Sequence, residues 1–137
     1  MQRIIALDIG SVRIGVAVSD PLGFFAQGVA VLQARDNWLE DLCKIMSEYE
    51  NPKLLVGLPK RTDGSEGPEA VRMRETTDTI RERFPNTEIE FWDERFTTTI
   101  AQQALLEADV SRSGRKQKVD KIAATLLLQS YLDRGRA

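Results

Sequence analysis

Apolar positions along this chain fall into two rhythms, and their order predicts the fold. Arg3 to Asp8 is a short run rich in Ile and Leu, which reads as a buried strand. Gly10-Ser11 is turn chemistry. From Arg13 to Ser19 the period becomes two, with Ile14, Val16 and Val18 on one face of a second strand. Asp20-Pro21-Leu22-Gly23 predicts a turn. Phe24 to Gln33 predicts a third strand, interrupted by Gly28, with Val29 and Val31 on one face and Leu32 on the other. Turns this tight join antiparallel neighbours, so the three strands form a meander.

Beyond Asp36 and Asn37, either of which can cap a helix, the rhythm lengthens. Trp38, Leu39, Leu42, Cys43, Met46 and Tyr49 recur at helical spacing until Asn51-Pro52. Lys53 to Leu58 is a short apolar strand, and Pro59 to Pro68 a polar loop. Glu69 to Phe84 reads as a second helix and Glu88 to Asp93 as a fifth strand. Thr97 to Ala108 predicts a third helix, and Asp109 to Lys118 a basic loop. Val119 to Leu132 predicts a fourth helix, with Ile122, Ala123, Leu126, Leu127 and Ser130 facing in. The order βββ-α-β-α-β-α-α predicts an α/β domain with a five-stranded mixed sheet, an antiparallel meander plus parallel strands, flanked by helices on both faces. At 137 residues, and with no repeat or linker, one domain over 1–137 is expected.

Composition narrows the chemistry. The chain has no histidine, which removes Ser-His-Asp triads, Cys-His pairs and histidine proton shuttles. Its single cysteine, Cys43, cannot form an internal disulfide, and a reducing setting fits. No apolar run is long enough for a bilayer, and the first residues lack a charged-then-apolar signature. A cytoplasmic protein without membrane contact is therefore expected. The formal net charge is -2, so a polyanionic partner would need a local basic patch.

Three acids carry the candidate chemistry. Asp8 ends the first apolar run, Glu94 follows the fifth strand, and Asp120 opens the last helix. If the fold brings them together, their repulsion calls for a divalent cation, and hard oxygen ligands suit Mg²⁺, with Mn²⁺ as a substitute. Each acid also has a purely structural reading. Asp8 could cap the hairpin, the Asp93–Arg95 segment could be a surface ion pair, and Asp120 could favour a helix start through the macrodipole. Adjacent strand residues face opposite ways, so Asp93 and Glu94 compete for one place in the site. Candidate phosphate contacts are Arg13 in the first hairpin, Lys60 and Arg61 in the Pro59–Pro68 loop, Arg95, and Arg115, Lys116 and Lys118 beside Asp120. Trp92 could stack on a base or pack beneath a helix.

Taken in order, Leu-Asp-Ile-Gly-Ser-Val-Arg-Ile-Gly-Val-Ala-Val-Ser-Asp, Val-Gly-Leu-Pro with Asp-Gly-Ser-Glu-Gly, Asp-Glu-Arg-Phe-Thr-Thr and Val-Asp-Lys-Ile-Ala-Ala resemble the YqgF (RuvX) family. Val12 departs from a position often basic in that family, and Phe96 from one where Leu is common. The resemblance implies an RNase H-like fold and a nuclease role in 5′-end maturation of pre-16S ribosomal RNA. It also implies Asp8, Glu94 and Asp120 as catalytic and metal-binding acids. Asp8 would bridge two Mg²⁺ ions about 3.5–4 Å apart. The alternatives are a dimeric Holliday junction resolvase acting on four-way DNA and a non-catalytic RNA- or ribosome-associated factor. The partner expected is nucleic acid, structured RNA ahead of branched DNA, and the protein a monomer or homodimer.

Overall fold

The computed structural model describes residues 2–96 and 112–135, with side chains for 2–95 and 121–134. The strands are β1 (Ile4–Ile9), β2 (Arg13–Ser19), β3 (Ala26–Gln33), β4 (Lys53–Leu58) and β5 (Ile89–Asp93). The helices are α1 (Trp38–Met46), α2 (Pro68–Arg83) and α3 (Arg112–Gly135), and one 3₁₀ turn (Glu94–Phe96) follows β5. The expected helix over Thr97–Ala108 lies outside the described residues.

The sheet has the order β3-β2-β1-β4-β5. β1 pairs antiparallel with β2 and parallel with β4, and β4 pairs parallel with β5. β1 is thus the central strand, and its carboxyl end lies beside those of β4 and β5. That edge is where an open α/β sheet gathers its functional groups.

Two cores hold the layers. On one face Ile5, Leu7, Ile14, Val16, Leu54 and Val56 pack with Leu42 and Met46 of α1 and Ile80 of α2. On the other, Ala6, Ala17 and Leu55 meet Ala124, Leu127, Leu128 and Leu132 of α3. Leu7, Leu54, Leu55 and Leu128 have no exposed surface, and burying each such side chain contributes about 1.5–3 kcal/mol. The small residues on the α3 side let that helix lie close. A Cβ at Gly28 would stand 3.0 Å from Thr125 Oγ1 and 3.1 Å from the Lys121 Cβ. The glycine that interrupts β3 is there because α3 crosses over it.

Three expectations need correction. The basic segment read as a loop is helical from Arg112, so α3 starts well before Val119. Arg, Lys and Gln are good helix formers and no proline intervenes, so polarity alone misled. The inward stripe of α3 is Ala124, Leu127, Leu128 and Leu132, with Ile122, Ala123 and Leu126 only partly buried. In β3, Val16 pairs with Ala30 but Ala17 pairs with Gly28, so Val29 is a bulge. Ala30 and Leu32 face α1 and α2, while Ala26 and Gly28 lie beneath α3. The bulge breaks the single alternation assumed for the strand.

Candidate active site at the carboxyl ends of the central strands

Asp8 is the penultimate residue of β1 and pairs across the hairpin with Gly15. Strand alternation puts it on the face of Ala6, the one α3 covers. Glu94 follows the last residue of β5 and enters the 3₁₀ turn. Between them lies Gly57 of β4, and its lack of a side chain admits the glutamate. A Cβ there would stand 2.6 Å from Glu94 Oε1 and 3.0 Å from Leu127 Cδ2. β4 therefore carries a notch into which Glu94 folds toward Asp8.

The two carboxyls hydrogen-bond to each other, which requires a proton on one of them. The Glu94 pKa is pushed up from 4.5 to about 7. Burial is the largest cause, followed by the Asp8 charge, the bond Glu94 donates to Asp8, and the fields of Glu69 and Asp93. Asp93 faces a different partner. Arg95 Nε lies 2.9 Å and Nη2 2.6 Å from Asp93 Oδ2, and Oδ1 also accepts the Arg95 N–H at 2.9 Å. These bonds from Arg95 hold the Asp93 carboxyl below its usual range. Of the two adjacent acids, Glu94 meets Asp8 and Asp93 holds Arg95.

Arg95 is thereby engaged within the protein. Its Nη1 also donates to the Thr62 carbonyl at 3.4 Å, tying β5 to the loop after β4. That loop is internally braced. Asp63 Oδ1 accepts from the Ser65 N–H at 2.9 Å and hydroxyl at 2.7 Å, and Gly64 takes φ +90. Glu66 receives two bonds of 2.7 Å from Arg74 of α2. Lys60 and Arg61 line a cavity of about 370 Å³ on this loop. Arg13 opens β2 at the same end of the sheet. Arg115, Lys116, Lys118 and Asp120 belong to the α3 backbone, but their side chains lie outside the described residues.

A larger cleft of about 620 Å³ opens at the acid pair. Asp8 and Glu94 stand at one part of it; Ile14, Ala34, Trp38 and Met73 line another. Arg72 and Glu69 of α2, with Pro59, border both cavities. Sequence reading passed over Arg72, Glu69 and the notch at Gly57; Trp38, on the apolar stripe of α1, packs against the core and also borders the cleft. Arg72 is an exposed cation one turn inside α2, indistinguishable by pattern from any solvated helix residue. Trp92 is settled the other way. Its Nε1 donates to Ser130 Oγ at 2.8 Å, and its ring meets Tyr131 edge-on at 5.1 Å, beneath α3.

α3 runs antiparallel to β4. Leu127 lies at Gly57 near the carboxyl end of β4, whereas Tyr131 Oη accepts from Lys53 Nζ at the other end, 3.0 Å away. The amino-terminal half of α3, which includes Asp120, therefore lies toward the edge of the sheet that carries Asp8 and Glu94.

A mixed sheet of this order, helices on both faces and an acid on the central strand together define an RNase H-like fold. The solved structures agree. "T. thermophilus RuvC in complex with Holliday junction substrate" matches with TM-score 0.55 at 11% identity, over 98% of this chain and 97% of that one. The fowlpox virus Holliday junction resolvase matches with TM-score 0.54 at 19% identity, over 97% and 99%. The chain belongs to the RuvX family, described as Holliday junction resolvase, which matches residues 2–134. A relative from Clostridium botulinum (strain Hall) is 50% identical over 134 residues, covering 96% of this chain and 97% of its own. One from strain Eklund 17B is 48% identical over 135 residues, covering 97% and 98%. Both carry the name "Putative pre-16S rRNA nuclease".

Proposed function

We propose that this chain is a single-domain, cytoplasmic, metal-dependent endonuclease that hydrolyses phosphodiester bonds of structured RNA, acting in 5′-end maturation of pre-16S ribosomal RNA. The observation that carries the reading is the Asp8–Glu94 pair. Two acids 86 positions apart in sequence meet in a half-buried setting, where they hold a proton that a cation could replace. The donor set fits Mg²⁺ or Mn²⁺: carboxylate oxygens are hard ligands, and partial burial strengthens their field. Asp8, Glu94 and Asp120 would hold the metal. Asp120 is included for its place on α3, one turn before the buried Ala124. Bound metal would supply Lewis acidity to the scissile phosphate and to the attacking water.

The chain's own residues do the rest. Asp8, on the rigid central strand, sets the position of the reacting phosphate. Glu94 is fixed by the Gly57 notch. Lys60, Arg61 and Arg13 take flanking phosphates, with Arg115, Lys116 and Lys118 extending the track along α3. Arg95 acts through Asp93 and Thr62 by holding the loop that presents Lys60 and Arg61. The test is cleavage of an end-labelled precursor RNA with Mg²⁺, wild type against Asp8→Asn. A loss of at least ~100-fold is expected for removal of a preorganised electrostatic group; equal rates would sink the proposal.

The family description and the resolvase neighbours favour one second reading, a resolvase for four-way DNA. Symmetric cutting of a junction needs two sites, hence a homodimer. Sedimentation of the chain with and without junction DNA separates the readings, because a monomer throughout excludes this one.

A further inference from the structure

The 620 Å³ cleft has two chemically unlike parts. The acid pair suits a phosphate with its cation. In the other arm Ile14, Ala34, Trp38 and Met73 present apolar side chains. Trp38 packs on the α1–α2 core, yet it is half-buried and lines this arm. Along α2, Arg72, Thr76 and Thr79 follow at i, i+4 and i+7 and border the same space, so a charge and two hydroxyls lie on one helix face. Arg72 also borders the cavity of Lys60 and Arg61, so the cationic track continues into the cleft.

We infer that the apolar arm receives one unpaired nucleobase of the bound strand, with Trp38 as its stacking partner and Arg72 at the adjoining phosphate. The inference rests on the nucleic-acid reading above and narrows it to strands with a base free to leave its stack. The volume lies in the range of small-ligand sites, about 300–1,000 Å³, and admits a nucleotide. A base held in a duplex has both faces and its pairing edge covered, so it cannot enter. An aromatic wall tolerates any base, because each has a π-face, while Thr76 offers a hydroxyl to a base edge.

The experiment measures equilibrium binding in the Asp8→Asn protein without metal, so it does not depend on cleavage. Adenosine 5′-monophosphate and ribose 5-phosphate are titrated by NMR. The nucleotide is expected to bind about 10-fold tighter, the size of one base–aromatic stack. Trp38→Ala should erase that advantage and Trp38→Phe should retain most of it. Arg72→Gln should weaken both ligands equally. Ala34→Leu fills the arm without deleting the aromatic, and should also erase the advantage if Trp38→Ala fails to fold. Equal binding of the two ligands, or an advantage that survives both Trp38→Ala and Ala34→Leu, would overturn the inference. Loss of the nuclease reading would show separately, as precursor RNA left uncut by the metal-loaded wild type.

Discussion

Replacing Glu94 by Gln should make the metal-free protein more stable at high pH and leave it unchanged at low pH. The native state lifts the Glu94 pKa from 4.5 to about 7, so it binds this proton more tightly than the unfolded chain does. Below about pH 4 the group is neutral in both states and contributes no difference. As pH rises through 4.5 the unfolded chain ionises first, and native stability falls until about pH 7, where the folded group ionises too. At about 1.4 kcal/mol per tenfold change in proton affinity, the full cost is on the order of 3 kcal/mol. Solvent reaching the group screens part of that, leaving about 2 kcal/mol. Gln keeps the shape that fits the Gly57 notch and still donates to Asp8, without the charge. Urea unfolding in EDTA at about pH 4 and about pH 8 reads the difference, with the urea slope checked for constancy. Glu94→Gln should match wild type at the lower pH and exceed it by about 2 kcal/mol at the higher. An equal offset at both pH values, or a variant weaker at the higher one, would refute the account of the acid pair.

Other outcomes follow from the same geometry. Gly57→Ala places a methyl 2.6 Å from Glu94 Oε1, so the carboxylate should swing away from Asp8. Cleavage should drop ~10²-fold with stability lowered by only about 1 kcal/mol, checked by single-turnover kinetics and thermal melting. Gly28→Ala meets Thr125 and the Lys121 Cβ on a rigid helix and should cost about 1–3 kcal/mol in chemical denaturation. Arg95→Ala releases Asp93 and the Thr62 carbonyl; it should raise KM more than it lowers kcat, which initial-rate kinetics will separate. Mg²⁺ at about 100 times its Kd should stabilise wild type by about 2.7 kcal/mol at pH 8 and Asp8→Asn far less, read by melting with and without EDTA.

Most of the sheet was legible because period and turn chemistry are local. Ile14, Val16 and Val18 mark β2, and Pro52 and Pro85 end elements wherever they fall. That the later strands run parallel followed from the helices between β3, β4 and β5, but that β4 lies beside β1 did not. What sequence could not supply was distance between segments. Gly28 looked like a flaw in a strand, and only the passage of α3 explains it. Gly57 looked like one residue of an apolar run until Glu94 was seen folded into it. The choice between Asp93 and Glu94 needed side-chain direction, which the entry into the 3₁₀ turn decides. Arg95 was counted among the substrate contacts because a cation next to an acid has the same sequence signature whether it points out or locks inward.

Asp93 and Glu94 are neighbours with opposite duties, one bracing a loop and the other entering the cleft. Deleting a single residue from β5 would exchange their headings, leaving Arg95 without its anchor and the cleft without its second acid. Tolerance to length change should therefore be uneven along this molecule. The Asp20–Phe25 tip lies at the far end of the sheet, so an added residue there disturbs only the bonds Asp20 and Gln129 make to it, while the short stretch from Ile89 to Glu94 is a fixed ruler whose every increment is functional.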